Sequence, residues 1–283
     1  MTRSPRPVDP FFLQRDTGER LCLHYWLGDD RLRPGAALVF VHACGEEMNK
    51  SRRMVALQAQ ALAQAGCAVL TIDLLGCGDS SGLLQDASWS AWLADIEAAC
   101  DWLAQRHPGA PLCLWGHRAG ALLASQAAAR RAAPPHLLLW QPLTSGKPQV
   151  QQLLRMKAAA GLSAGIQVGD AMAGLRQALA QGTQVEIGGY TWPAALIQAL
   201  ESASLGAPAA PARVAWLEVS NRPEPELAPG SAKLLEAWRA SGIAVDARAL
   251  RGPAFWQTSE LELAPDLLAA TISAVLDRAP VPA

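Results

Sequence analysis

Four short, unbroken apolar runs punctuate the first half of this chain: Ala37-Leu38-Val39-Phe40-Val41, Ala68-Val69-Leu70-Thr71-Ile72-Asp73, Pro111-Leu112-Cys113-Leu114-Trp115 and His136-Leu137-Leu138-Leu139-Trp140. Each is too short for an amphipathic helix and too continuous for a strand with one wet face. That is the pattern of a parallel strand covered on both sides. Helical spacing fills the gaps: a segment over 53–65 stopped by Gly66, one over 88–106 with Trp89, Trp92, Ile96 and Leu103 on the repeat, and one from Gly116 to about residue 133. The alternation implies an α/β fold, a doubly wound, mostly parallel sheet. With 51% apolar and 17% charged residues in 283, the chain can fill a large core, which excludes global disorder.

The remainder fits around that sheet. Residues 11–27 read as an opening hairpin turning at Gly18-Glu19-Arg20, after a Pro-rich stretch over 1–10. Residues 145–205 break the rhythm with Gly-rich joints, two helices and the segment Gly188-Gly189-Tyr190-Thr191-Trp192-Pro193. They are read as a helical cap inserted over the sheet's C-terminal edge, dividing a core of 1–144 from its continuation, 206–283. In that continuation the expected elements are strands over 213–219 and 245–250 and helices over 231–241 and 265–277.

Composition narrows the function classes. A formal charge of −1 carries no signature of nucleic acid or an anionic surface. Six cysteines (Cys22, Cys44, Cys67, Cys77, Cys100 and Cys113) include no C-x-x-C pair, so no metal site is read, and buried reduced thiols are expected. No secretory h-region and no apolar run near the ~18–20 residues of a spanning helix is present, so the expectation is a cytoplasmic protein with no transmembrane segment. No cofactor is expected: Gly76, Gly78 and Gly82 miss the G-x-G-x-x-G spacing by one residue.

The sharpest chemical signal is Trp115-Gly116-His117-Arg118-Ala119-Gly120, a strand running through G-x-X-x-G into an Ala-rich helix. Such glycines permit the tight turn that lifts a nucleophile over a sheet. Here the raised residue is Arg118, whose guanidinium stays protonated and cannot attack a carbonyl. With His42 ahead of a Gly-containing loop and Asp73-Leu74-Leu75-Gly76-Cys77-Gly78-Asp79-Ser80 as a D-x-x-G-x-G-x-S turn, the chain resembles the α/β-hydrolase fold family over nearly its whole length. Within it, Glu46-Glu47-Met48-Asn49-Lys50-Ser51-Arg52-Arg53, the serine-less elbow and Phe255-Trp256-Gln257-Thr258 resemble the second family of hydrolase-like proteins associated with bacterial exosortase A gene clusters. That resemblance implies a setting in exopolysaccharide production and export.

The hydrolase resemblance implies a nucleophile, an acid and then a histidine after the last strand. This chain has five histidines (His24, His42, His107, His117 and His136) and none beyond His136. At the histidine's expected place stands Trp256; at the acid's, Glu224 or Glu226. An ordinary serine-hydrolase mechanism therefore lacks both nucleophile and base, and loss of triad members leaves only ~10³–10⁴-fold catalysis over water.

Two functions remain open. One is a non-catalytic ligand-binding or scaffold homologue. The other is a hydrolase or acyltransferase of atypical mechanism acting on an ester, thioester or acylated intermediate. Ligand-binding candidates are Arg118, His42, Glu46, Glu47, Asn49, Arg52, Trp192 and Trp256. Arg118 has two readings: an anion receptor at a helix N-terminus, or a cation neutralised by Glu46 or Glu47. Residues 46–53 are either a solvated helix start or a polar substrate patch, with Glu46 and Glu47 as candidate acid/base groups. Trp115, Trp140, Trp192, Trp216 and Trp256 either fill the core or wall a pocket for an acyl chain or sugar faces. His42 with Cys44 has poor nucleophile–base spacing; beside its ligand-binding reading, His42 also reads as a hydrogen-bonded structural residue at a strand end, and His117 is read as a packing residue. An acyl or phospho-sugar small molecule, a homodimer and exopolysaccharide machinery are the partners considered.

Overall fold

The computed structural model describes residues 8–28, 33–160 and 167–277; residues 1–7 of the Pro-rich stretch lie outside them. The opening hairpin pairs β1 (Asp9–Arg15) with β2 (Gly18–Tyr25), antiparallel, from Asp9 opposite His24 to Arg15 opposite Gly18. The alternating units follow: β3 (Ala37–Val41), α1 (Glu46–Gln64), β4 (Ala68–Ile72), α2 (Trp89–Arg106), β5 (Leu112–His117), α3 (Ala119–Ala129) and β6 (His136–Trp140). After the inserted segment come β9 (Arg213–Ser220), α7 (Pro229–Ala240), β10 (Ala244–Arg251) and α8 (Pro265–Leu276). The main sheet runs β1-β2-β4-β3-β5-β6-β9-β10, parallel from β4 to β10, with β2 of the first hairpin joining antiparallel to β4.

Burial on both faces explains the unbroken apolar runs. Val39, Leu114, Leu137, Leu139 and Trp216 point to the layer of α2, α3 and α7. Phe40, Trp115, Leu138, Trp140 and Leu217 point to the layer of α1 and α8. At roughly 25 cal/mol per Å² of apolar surface removed from water, these strands are the main source of stability. Trp140 also donates its indole N–H to Thr271 Oγ1 on α8, at 2.8 Å. Trp115, Trp140 and Trp216 are thus fully buried core residues, not crevice walls.

Element boundaries differ from the sequence reading at informative places. The helix read from residue 53 begins at Glu46, because its inward positions in the first turns carry the polar Glu47 and Ser51, and polar Gln58 recurs deeper. The acidic first turn suits the positive end of a helix. β5 extends through Gly116 and His117, which still pair with β3 and β6, and α3 stops at Ala129. Residues 145–205 hold three helices and a hairpin rather than two helices: α4 (Lys147–Ala160), α5 (Val168–Ala180), the β7–β8 hairpin (Val185–Ile187, Tyr190–Trp192) and α6 (Ala194–Ser202). Their buried Val150, Leu154, Leu179, Ile187, Trp192 and Ile197 join the α2–α3 side of the core.

Candidate functional site

The centre of the site is the turn between β5 and α3. A Cβ on Gly120 would collide with the carbonyl oxygens of Val41 and His42, and one on Gly116 with the backbone of Ala121, so the turn closes only with glycine at both positions. Between them Arg118 takes φ 53 and ψ −120, a conformation strained for any residue with a side chain. Its N–H donates to Trp140 O at 3.1 Å, and its carbonyl accepts from Ala121 N.

The raised side chain does not face an open crevice. Arg118 Nη2 donates to Glu47 Oε1 at 3.1 Å and to Gln149 Oε1 at 3.0 Å, and Nε donates to Glu47 Oε2 at 3.3 Å. The guanidinium carbon lies 5.4 Å from the centroid of the Trp256 ring, within cation–π range. The ion-paired side chains are 12% and 10% exposed, so the charge is neutralised inside the protein. Of the two sequence readings, the internal ion pair is the one formed, and Glu47 rather than Glu46 forms it. One residue thereby ties together the first turn of α1, the elbow, α4 and the loop after β10.

Beneath the pair, His117 is fully buried and stacks on Phe255 at 5.4 Å between centroids, with Trp256 at 5.6 Å edge-on. Neither ring nitrogen has a hydrogen-bond partner. Burial, with Arg118 as a cationic neighbour, holds its pKa well below the usual imidazole value. It is a neutral packing group, as its position in the sequence suggested.

His42 is also structural. Leu74 N–H donates to its Nε2 at 3.2 Å, which places the ring proton on Nδ1, and Nδ1 donates to Ala43 O at 2.7 Å. Burial lowers its pKa. Both nitrogens being occupied, the ligand-binding role expected of His42 is not formed. Burial raises the Cys44 thiol, so Cys44 is no thiolate nucleophile beside it. Arg52 likewise turns away: its Nη2 pairs with Asp73 Oδ2 at 3.0 Å, the carboxylate that also accepts from Asp79 N–H in the glycine turn. Glu224 and Glu226 are exposed, whereas the buried carboxylate of that region, Glu218, accepts from Trp216 Nε1 and Ala228 N. Neither expected acid is set into the interior.

The remaining candidates surround a cavity of about 330 Å³. Its walls come from the start of α1 (Glu46, Glu47, Lys50), α4 (Gln149, Leu153, Met156), the β7–β8 hairpin (Ile187, Tyr190, Trp192) and the loop after β10 (Trp256, Gln257). Trp192 and Trp256 are 1% and 5% exposed, and their indole N–H groups have no partner. The Tyr190 hydroxyl donates to Glu46 Oε1 at 2.7 Å and accepts from Asn49 Nδ2 at 2.8 Å, fastening the hairpin to α1. Burial and the Glu46 carboxylate push the phenol up to about 12, so Tyr190 keeps its proton. Among the described residues no cluster of His, Cys, Asp and Glu could hold a metal.

The structure therefore assembles Glu46, Glu47, Trp192 and Trp256 at one cavity. Asn49 lies beside it through Tyr190, Arg118 lies behind Glu47, and His42, Arg52, Glu224 and Glu226 are set elsewhere. Sequence reasoning missed Gln149, Leu153, Met156, Tyr190 and Gln257. Only Tyr190 had a local signal, in its Gly-Gly turn; the α4 residues look like any amphipathic helix face.

Comparison with known proteins agrees with the fold. The family described as Serine aminopeptidase, S33, matches residues 33–185. Human protein ABHD12B is 31% identical over 91 residues, which are 32% of this chain and 24% of that protein, so the chain spans about a quarter of that relative. Among solved structures, Est1E from Butyrivibrio proteoclasticus, with ferulic acid bound, is 14% identical with a TM-score of 0.62, covering 94% of this chain and 96% of that one. A putative hydrolase from Agrobacterium vitis S4 is 17% identical with a TM-score of 0.60, covering 96% and 100%. Fold and elbow thus define a protein of α/β-hydrolase architecture. The chain belongs to the Serine aminopeptidase, S33 family.

Proposed function

We propose that the protein binds a small amphiphile in the cavity between α1, α4 and the β7–β8 hairpin and does not hydrolyse it. The observation that carries this reading is Arg118 at the nucleophile position, held by Glu47 and Gln149. A buried ion pair there supplies neither nucleophile nor base, and no histidine follows His136. The cavity walls favour binding: Leu153, Met156, Ile187, Trp192 and Trp256 offer an apolar interior, while Glu46, Lys50 and Gln257 are polar. Arg118 acts as a positioning residue that fixes Glu47 and the inserted segment 145–205, which serves as a cap on the core of 1–144 and 206–283. In the exopolysaccharide and exosortase setting implied by the sequence resemblance, an acyl- or polyprenyl-linked sugar has the matching chemistry. Six free, buried cysteines suit a reducing, cytoplasmic location.

The test is calorimetric titration with 1-octanol and octyl glucoside, below the micelle threshold, on wild type and Leu153→Trp. Saturable binding that the tryptophan abolishes is expected. No binding of either compound, or equal binding by the filled variant, refutes the reading.

A further inference from the structure

A second concavity of about 480 Å³ lies on the other side of the Tyr190 latch. Its walls are Met48 and Asn49 of α1, residues 76–78 and 82–85 of the glycine turn, and Gly189, Tyr190 and Thr191 of the hairpin. The two spaces share Gly45 and Tyr190 as lining residues, and Gly188 and Gly189 face one each. Gly45 carries no side chain of its own, and the Trp192 ring lies 3.3 Å from where its Cβ would stand. Their chemistry differs. The first is mostly apolar, with two tryptophans and the charged Glu46, Glu47 and Lys50. The second contains no charged side chain: it offers the amides of Asn49 and Gln85, the hydroxyls of Thr191 and Tyr190, and the bare backbone of Gly76, Gly78, Gly82 and Gly189. Gly76 and Gly78 adopt φ 70 and 55, and a Cβ on either would collide with Leu83 O or Asp73. The Cβ directions of both glycines are filled by protein, so these residues meet the concavity with backbone alone.

We infer that the two spaces are halves of one site, joined over Gly45 beside Tyr190. The apolar half takes an alkyl or polyprenyl chain, and the neutral half takes an uncharged, hydroxyl-rich head of one or two sugar units. This rests on the binding reading above and specifies its ligand. Neutral hydrogen-bonding groups suit sugar hydroxyls, whereas a free phosphate head would meet only Arg52, which stands behind Gly78 and is already paired with Asp73. The Tyr190 hydroxyl, already pinned by Glu46 and Asn49, sets the boundary between chain and head.

The experiment compares 1-octanol, octyl glucoside and octyl maltoside by calorimetry on wild type, Thr191→Trp, which fills the second half, and Gln85→Ala, an exposed residue whose loss leaves the fold intact. In wild type the maltoside binds at least tenfold more tightly than octanol. Thr191→Trp erases that ratio and leaves octanol binding unchanged, and Gln85→Ala lowers the ratio severalfold. Equal affinities for octanol and maltoside, or a ratio unaffected by both variants, overturn this inference alone. Failure of octanol itself to bind overturns the underlying reading as well.

Discussion

Replacing Arg118 by alanine leaves the Glu47 carboxylate with no cation in a site where the two side chains are only 12% and 10% exposed. Breaking a buried pair from one side costs about 3–5 kcal/mol, and the slight exposure here selects the lower end, about 3 kcal/mol. An unfolding entropy of ~2.1 cal/mol/K per residue makes 1 kcal/mol worth roughly 1.7 °C in a chain of 283 residues, so Arg118→Ala lowers Tm by about 5 °C. Arg118→Gly loses the same pair but relieves the strain at φ 53, ψ −120, a gain of ~1–3 kcal/mol, of which glycine's unfolded-state freedom takes back ~0.5–1. The glycine variant therefore melts about 2 °C above the alanine variant. Adding Glu47→Gln to Arg118→Ala removes the stranded charge and restores most of the loss. Differential scanning calorimetry at pH 7.5 measures the cycle. Additivity of the two single changes within ~0.5 kcal/mol, or alanine melting at or above glycine, refutes the assignment of the pair and of the strain.

Other consequences concern pH and the second buried ion pair. His42 and His117 both have folded pKa values depressed by burial, so their contribution is complete above the unfolded value of about 6.5 and is lost as pH falls below it. Between pH 6.5 and 5.5 stability should fall toward a slope of about 1.4 kcal/mol per pH unit from His117 alone, with His42 acting in the same direction, and His117→Leu should remove that share in urea titrations. An unchanged slope in the variant contradicts the neutral, aromatic setting of His117. Arg20 is fully buried with Nε 2.7 Å from Asp95 Oδ2, and Asp95 also accepts from Leu75 N. Arg20→Met leaves Asp95 with only the partly exposed Arg15, whose Nε lies 3.5 Å from Oδ1, and should cost about 3 kcal/mol by chemical denaturation; a loss below ~1 kcal/mol speaks against Arg20 as the main partner of Asp95.

The sheet was legible because its strands are buried on both faces, which writes them as continuous apolar runs that need no partner information. The start of α1 was not, since its inward positions 47 and 51 are polar: Glu47 faces Arg118 from 71 residues away, a demand that no local pattern reveals. The elbow could be read in full, because steric exclusion of a Cβ forces glycine at Gly116 and Gly120. What Arg118 contacts could only be narrowed to two carboxylates. His42 carried two readings, and the structural one is formed. Its place at a strand end resembles a site position, yet two backbone groups, Ala43 O and Leu74 N, consume its ring. The α4 wall of the cavity stayed hidden because Gln149, Leu153 and Met156 share a helix face whose partner is set only by how residues 145–205 fold.

One measurement bears most directly on a hydrolase fold that binds without turnover. p-Nitrophenyl octanoate carries both an octyl-sized chain and a scissile ester, so one titration reports occupancy by tryptophan fluorescence, through Trp192 and Trp256, and cleavage by nitrophenolate absorbance. Saturable quenching is expected, with release no faster than in buffer. Release that saturates with the quenching and disappears in Arg118→Ala contradicts binding without turnover.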